Sequence, residues 1–431
     1  MRWRCAVAVS TLPMLLCLPL VGCRRKEVQP VLPPTLFHIV YFDDQGNRLK
    51  PAEDDKALAE AKGKQVTDVF LVSHGWNTSR SDAVTAYEAV RSLVLKIQNE
   101  RPGDLPKGYQ PLLVGIHWPS KAWDEEETKL EGGGPRPLTA DQLAALRESL
   151  RGDPASKEAD LKKIKLLSEK IAPTPVDWDE AKSLFQKHSY SEKELAIKAP
   201  DDAGVFELAN SKLESAGVEW EGRFPSIRDA ARVFTFWQMK RRAGVVGESG
   251  GRELLDLLRE SCPDARVHLI GHSFGCKLLL SALIAPGRHS DKSVQSIILL
   301  QGALSHLAFA DKVLALGTPG GYQKARTLVA GPLVATFSEN DVPLGTWYPL
   351  GARFYKAKDL TEAAGPSLYS ALGAVGINAV DATNMNASGK EYSFGEEPRM
   401  YSIAAHQYIK SHGDYTNGEV AWLIWATAFR K

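Results

Sequence analysis

Five residues, Gly271-His272-Ser273-Phe274-Gly275, separate a β-branched run, Arg266-Val267-His268-Leu269-Ile270, from an apolar run that extends from Lys277 to Ile284 and is closed by Pro286. The spacing predicts a strand, a sharp turn and a helix in immediate succession, with Pro286 as the helix stop. At so tight a turn a Cβ at position 271 or 275 would strike the neighbouring strand or helix, which is why glycine stands at both. Ser273 is then held in a strained conformation with its hydroxyl exposed, the setting of a nucleophile. A five-residue pattern recurs by chance, so the flanking strand and helix carry the inference.

The remainder of the chain repeats this alternation. Strand-like runs are predicted at 36–42, 66–72, 112–118, 266–270, 296–300, 332–337 and about 399–409. Helical spacing appears between them, as at 83–98, 251–260 and 419–429. Strands alternating with helices predict an α/β fold: a mostly parallel sheet with helices on both faces. One stretch, residues 121–224, departs from the rhythm. It is rich in Lys, Glu, Asp and Ala, with helical patches at 140–150 and 159–171 and no strand pattern. It is expected to be a helical insert or cap between two portions of the core, 36–120 and 225–431.

A 431-residue chain with 44% hydrophobic residues can bury a large core. The net charge of +1, with no basic stripe interleaved with aromatics, argues against nucleic-acid binding. Arg2 and Arg4 precede an apolar stretch, 6–21, that Pro13 and Pro19 interrupt. It is shorter than the roughly 20 residues a spanning helix needs, so residues 1–22 read as a signal peptide. Its end, Leu20-Val21-Gly22-Cys23, resembles the bacterial lipobox. That resemblance implies acylation of Cys23 as the mature N-terminus and a membrane-anchored lipoprotein of the cell envelope. Arg24 stands where enterobacterial lipoproteins retained at the inner membrane carry aspartate, which favours the outer membrane. Residues 23–35, with Pro30, Pro33 and Pro34, read as a stiff tether. Of the five cysteines only Cys262 and Cys276 lie beyond Cys23, and two buried thiols are expected rather than a disulfide.

A serine nucleophile needs a base, an acid to orient that base, and donors for an oxyanion. The base is expected at His412, in the loop Ser411-His412-Gly413-Asp414 before the last apolar helix, with His406 as the rival. His272 is next to Ser273 along the backbone and cannot easily turn back to it, so a structural role is expected there. The acid is expected at Asp341, just past the run 331–337, with Glu339 and Asp381 as alternates. The oxyanion donors are expected to be the backbone N–H groups of Phe274, after the nucleophile, and Trp76, after the buried run that ends in Ser73-His74-Gly75.

Together, Leu71-Val72-Ser73-His74-Gly75-Trp76-Asn77, Gly115-Ile116-His117-Trp118-Pro119-Ser120, Met239-Lys240-Arg241-Arg242-Ala243-Gly244-Val245-Val246-Gly247 and Leu269-Ile270-Gly271-His272-Ser273-Phe274-Gly275 resemble the α/β-hydrolase superfamily, in particular its bacterial serine-esterase-like members. The resemblance implies an α/β-hydrolase sheet and a serine hydrolase acting on a small-molecule or lipid carboxylic ester. It also leaves an acyltransferase, a peptidase or a non-catalytic scaffold lipoprotein as alternatives. No metal-ligand spacing, phosphate loop or dinucleotide motif is found, and acyl transfer to water needs no cofactor.

Overall fold

The computed structural model describes residues 36–120, 138–150, 152–188, 226–286, 294–314, 317–347, 370–395 and 399–429. The expected signal peptide, Cys23 and the expected tether lie outside the described residues.

Eight strands form one sheet: β1 (Leu36–Tyr41), β2 (Asp68–Ser73), β3 (Pro111–His117), β4 (Arg266–His272), β5 (Ser296–Leu300), β6 (Leu333–Phe337), β7 (Ala382–Asn384) and β8 (Met400–Ala404). Their order is β1-β3-β2-β4-β5-β6-β8-β7 and every pairing is parallel. The longer helices are α1 (Pro51–Gly63), α2 (Arg80–Glu100), α3 (Ala140–Ser149), α4 (Pro154–Ser168), α5 (Pro175–His188), α6 (Ile227–Val246), α7 (Arg252–Ser261), α8 (Phe274–Ile284) and α9 (Gly418–Ala428).

Successive side chains of a strand point to opposite faces, and this alternation sorts the core into two layers. Val69 and Leu71 of β2, Val267 and Leu269 of β4, and Ile297 and Leu299 of β5 meet α1, α6, α7 and α8 on one face. Phe70 and Val72, Ile270, and Ile298 and Leu300 meet α2 and α9 on the other. Both faces are thus covered by helices, which is why the central strands read as continuous apolar runs. The chain steps from β2 outward to β3 through α2, and from β4 outward the other way to β5 through α8. Helices on opposite faces give these two opposite steps the same hand. The turning point lies between β2 and β4, and the C-terminal ends of these strands carry the turns around Gly75 and Ser273.

Helices α3, α4 and α5 have their own apolar cluster, built on Leu146, Ile164, Trp178 and Phe185. Ile227, Ala230 and Ala231 of α6 join that cluster, whereas Met239, Ala243 and Val246 of the same helix join the sheet core. The expected division at 224/225 therefore precedes a helix that belongs to both bodies. Two further differences concern the last strands. β8 stops at Ala404 rather than near Ile409, which places His406 in the turn beyond it, and β7 is an added edge strand whose three residues are all exposed. Cys262 and Cys276 are buried free thiols.

Candidate active site

The strand ends at the C-terminal edge bring Ser273, His412 and Asp341 together. Ser273 Oγ lies 2.8 Å from His412 Nε2, and His412 Nδ1 lies 2.7 Å from Asp341 Oδ2. A carboxylate only accepts, so the Nδ1–H donates to Asp341 and the Nε2 lone pair faces the serine hydroxyl. Asp341 is 1% exposed and its other oxygen accepts from the Leu344 N–H at 3.0 Å.

Ser273 has φ 53° and ψ −120°, a region that L-residues with a side chain avoid. Its N–H donates to Leu300 O at 3.1 Å, and its carbonyl accepts from Cys276 N and Ala303 N, each at 3.2 Å. These bonds hold the strained turn. The motif glycines behave as the sequence requires: a Cβ on Gly271 would stand 2.6 Å from Cys276 Cα, and one on Gly275 2.1 Å from Ser73 O. In one respect the expectation fails. Ser273 is 2% exposed rather than open, because the loop carrying Gly75 passes directly over it.

That loop is organised by His74, which is fully buried. Its Nδ1–H donates to Gly75 O at 2.9 Å, so Nε2 accepts from His117 Nδ1–H at 3.0 Å. Trp118 Nε1–H donates to His74 O at 3.1 Å, and the Tyr87 hydroxyl accepts from His74 N–H at 2.8 Å. Thr78 Oγ1–H also reaches Gly75 O, at 3.2 Å. In a trans peptide the C=O and the following N–H point opposite ways, so anchoring Gly75 O directs the Trp76 N–H away from His74. The Asn77 N–H is committed to Ser120 O at 2.9 Å. The Trp76 side chain packs against both the sheet core and the α3–α5 cluster, joining this loop to the insert. Phe274 is the first residue of α8, where N–H groups face out of the helix.

Burial pushes His74 down to about 3 and His117 down to about 4, and holds His272 well below the ordinary imidazole value, with the nearby His412 adding to the last. All three are neutral at pH 7. His272 donates its Nε2–H to the His412 carbonyl at 2.7 Å and stacks on Tyr415, with ring centroids 3.9 Å apart.

The whole histidine loop is tied to neighbouring strand ends in this way. Ser338 Oγ donates to Ile409 O at 2.9 Å, Asn340 Nδ2 to His406 O at 2.9 Å, and Gln301 Nε2 to Ser411 O at 3.1 Å.

No family model, curated protein or solved structure matches this chain. The geometry of the site also separates the alternates. Glu339 is exposed, and Asp381 is exposed at the start of β7, toward the opposite edge of the sheet. His406 contributes its carbonyl to Asn340, and its ring has no part in the Ser273–His412–Asp341 relay. A second Ser–His–Asp array exists at the other end of β4: His268 lies 2.8 Å from Ser296 Oγ and 3.3 Å from Asp68 Oδ1. All three residues are 0% exposed inside regular strands, so no substrate atom can reach them. Among the described residues no group of three His, Cys, Asp or Glu side chains could hold a metal ion. Sequence reasoning missed Gln301 and the bonds made by His74 and His272, because a lone glutamine after a strand and a histidine beside a glycine carry no pattern of their own.

Proposed function

We propose that the protein is an α/β-hydrolase-type serine hydrolase that cleaves carboxylic esters through an acyl-serine intermediate. The observation that carries this reading is the relay of 2.8 and 2.7 Å from Ser273 through His412 to Asp341. Strand order supports it, since the serine follows β4, the acid follows β6 and the histidine follows β8, in the chain order that accompanies a G-x-S-x-G turn.

In this mechanism His412 Nε2 takes the Ser273 proton as Oγ bonds to the substrate carbonyl carbon. The N–H groups of Phe274 and Trp76 receive the oxyanion. His412 then protonates the departing alkoxide, whose C–O bond breaks, leaving the acyl-serine. A water, deprotonated by His412, attacks that ester; the acyl C–Oγ bond then breaks as His412 returns the proton to Oγ, releasing the acid and free Ser273. Asp341 holds the ring and stabilises the imidazolium in both halves.

The α3–α5 insert, touching the oxyanion loop through Trp76, acts as a cap in this reading. Acylated Cys23 anchors the enzyme in the bacterial envelope, at the outer membrane, with lipid or small-molecule esters as substrates. No helix among the described residues is long and apolar enough to cross a membrane.

Acid quench during turnover of p-nitrophenyl acetate, followed by peptide mass spectrometry, tests the proposal. One acetyl group on the peptide containing Ser273, with acetate as the product even when alcohols or amines are added, is expected. Transfer to the added alcohol or amine would point to an acyltransferase, and an unmodified Ser273 with no product would leave a scaffold.

A further inference from the structure

Gln301 stands just past β5, is 0% exposed and has φ 46°. Its Nε2 donates in two directions, to Asp341 Oδ2 at 2.9 Å and to Ser411 O at 3.1 Å. Its Oε1 is buried with no hydrogen-bond partner. The amide cannot be turned over to relieve this, because Oε1 would then face a carboxylate oxygen and a carbonyl oxygen, both acceptors. A buried acceptor left unpaired and a side-chain-bearing residue held at positive φ both oppose folding. Both are retained at one residue, and that residue bonds the oxygen that orients His412 and the carbonyl of the residue before it.

We infer that Gln301 is a positioning residue that locks the acid and the histidine loop into one rigid unit, so that Asp341 and His412 keep their register when the proton moves. This rests on the serine-hydrolase reading for its meaning in catalysis, but not for its physical content. The two bonds from a single NH₂ fix the spacing between the end of β6 and the loop after β8. Nearer the sheet, the same spacing is set by the Ala405 N–H on Phe337 O at 2.8 Å and by the bonds of Ser338 and Asn340 to the base of the loop. The backbone supports the placement: Gln301 N–H donates to Thr336 Oγ1 at 3.0 Å, pinning the end of β5 to β6.

Gln301→Met tests this, because methionine keeps the length of the side chain and removes both the NH₂ and the C=O of the amide. Kinetics on a short p-nitrophenyl ester should show kcat reduced about 10- to 100-fold with KM within twofold of wild type. The melting temperature should change little, since the loss of the two Nε2 bonds is offset by removal of the unpaired Oε1. A second measurement does not need turnover: the His412 Nδ1–H proton, followed by NMR in a Ser273→Ala background, should exchange with solvent faster when Gln301→Met is added. Unchanged kcat together with unchanged proton exchange would overturn the inference. Faster exchange in a protein that hydrolyses nothing would retain Gln301 as the lock and remove only the catalytic reading. A loss of kcat matched by a comparable loss of folded protein, with exchange unchanged, would make Gln301 a stability residue and also overturn it.

Discussion

Gly75 and Ser273 approach so closely that a Cβ on Gly75 would stand 2.6 Å from the Cβ of Ser273. The same added carbon would lie 3.0 Å from His272 Nδ1. The loop after β2 therefore rests directly on the turn after β4, and the residue that follows the glycine is Trp76. Gly75→Ala cannot be accommodated by a side-chain rotation, because the atom it meets is fixed to a strained backbone. The substitution should displace the loop by about an ångström and lower kcat about 100-fold. Esterase kinetics alongside a melting curve check this, the latter to confirm that folded protein is being compared.

Asp341 fixes which ring nitrogen of His412 carries the proton. Asp341→Asn presents an amide that can donate toward Nδ1, stabilising the tautomer with Nε2 protonated and unable to accept from Ser273. The expected loss in kcat is about 10⁴-fold, with the fold intact. Single-turnover kinetics should show the loss in both acylation and deacylation, because His412 Nε2 is the base in each.

The expected acid response comes from histidines held neutral by burial. His74 and His117 have folded values of about 3 and about 4, and His272 is also held low. In the unfolded chain they titrate near 6.5. Between these values the unfolded state binds more protons, so this contribution to stability is complete above about pH 6.5 and is lost as pH falls toward 4. Asp177, held down to about 2 by Lys170 and Thr174, loses its contribution only at lower pH. Urea midpoints measured from pH 7.5 to 4.5 should therefore fall on the acid side. His117→Asn, which keeps a donor toward His74 without a titrating ring, should flatten the slope.

Much of this arrangement could be read from the sequence, for definable reasons. Buried parallel strands need continuous apolar runs, so β2 through β6 announce themselves. β7 does not, because its three residues are exposed and carry no apolar pattern. The apolar run through Ile409 outlasts β8 because Ala405 and Ile409 remain buried in the turn, where Ile409 O is taken by Ser338 instead of a neighbouring strand. The long interval from Asp341 to His412 has a physical content as well: it holds a one-turn helix, Leu372–Val375, and β7. Ser273, Asp341 and His412 follow from turn chemistry and chain order. Gln301 does not, since its place depends on a distance between two loops that no local pattern encodes.

The buried array of Ser296, His268 and Asp68 provides a control. It shares the residue types of the proposed site, but its histidine is fully buried, whereas the His412 side chain is 22% exposed, and its serine lacks the positive φ of Ser273. Ser296→Ala should leave esterase kinetics and fluorophosphonate labelling unchanged, while removing one buried hydrogen bond at a cost of about 1 kcal/mol. Denaturant titration reads the latter.

The most direct test is fluorophosphonate labelling and p-nitrophenyl ester turnover of folded wild-type protein and its Ser273→Ala variant. The account predicts stoichiometric labelling at Ser273 in the wild type, none in the variant, and a fall in kcat of about 10⁶-fold. Ordinary turnover by the variant, or a folded wild-type protein that neither labels nor hydrolyses, would contradict it.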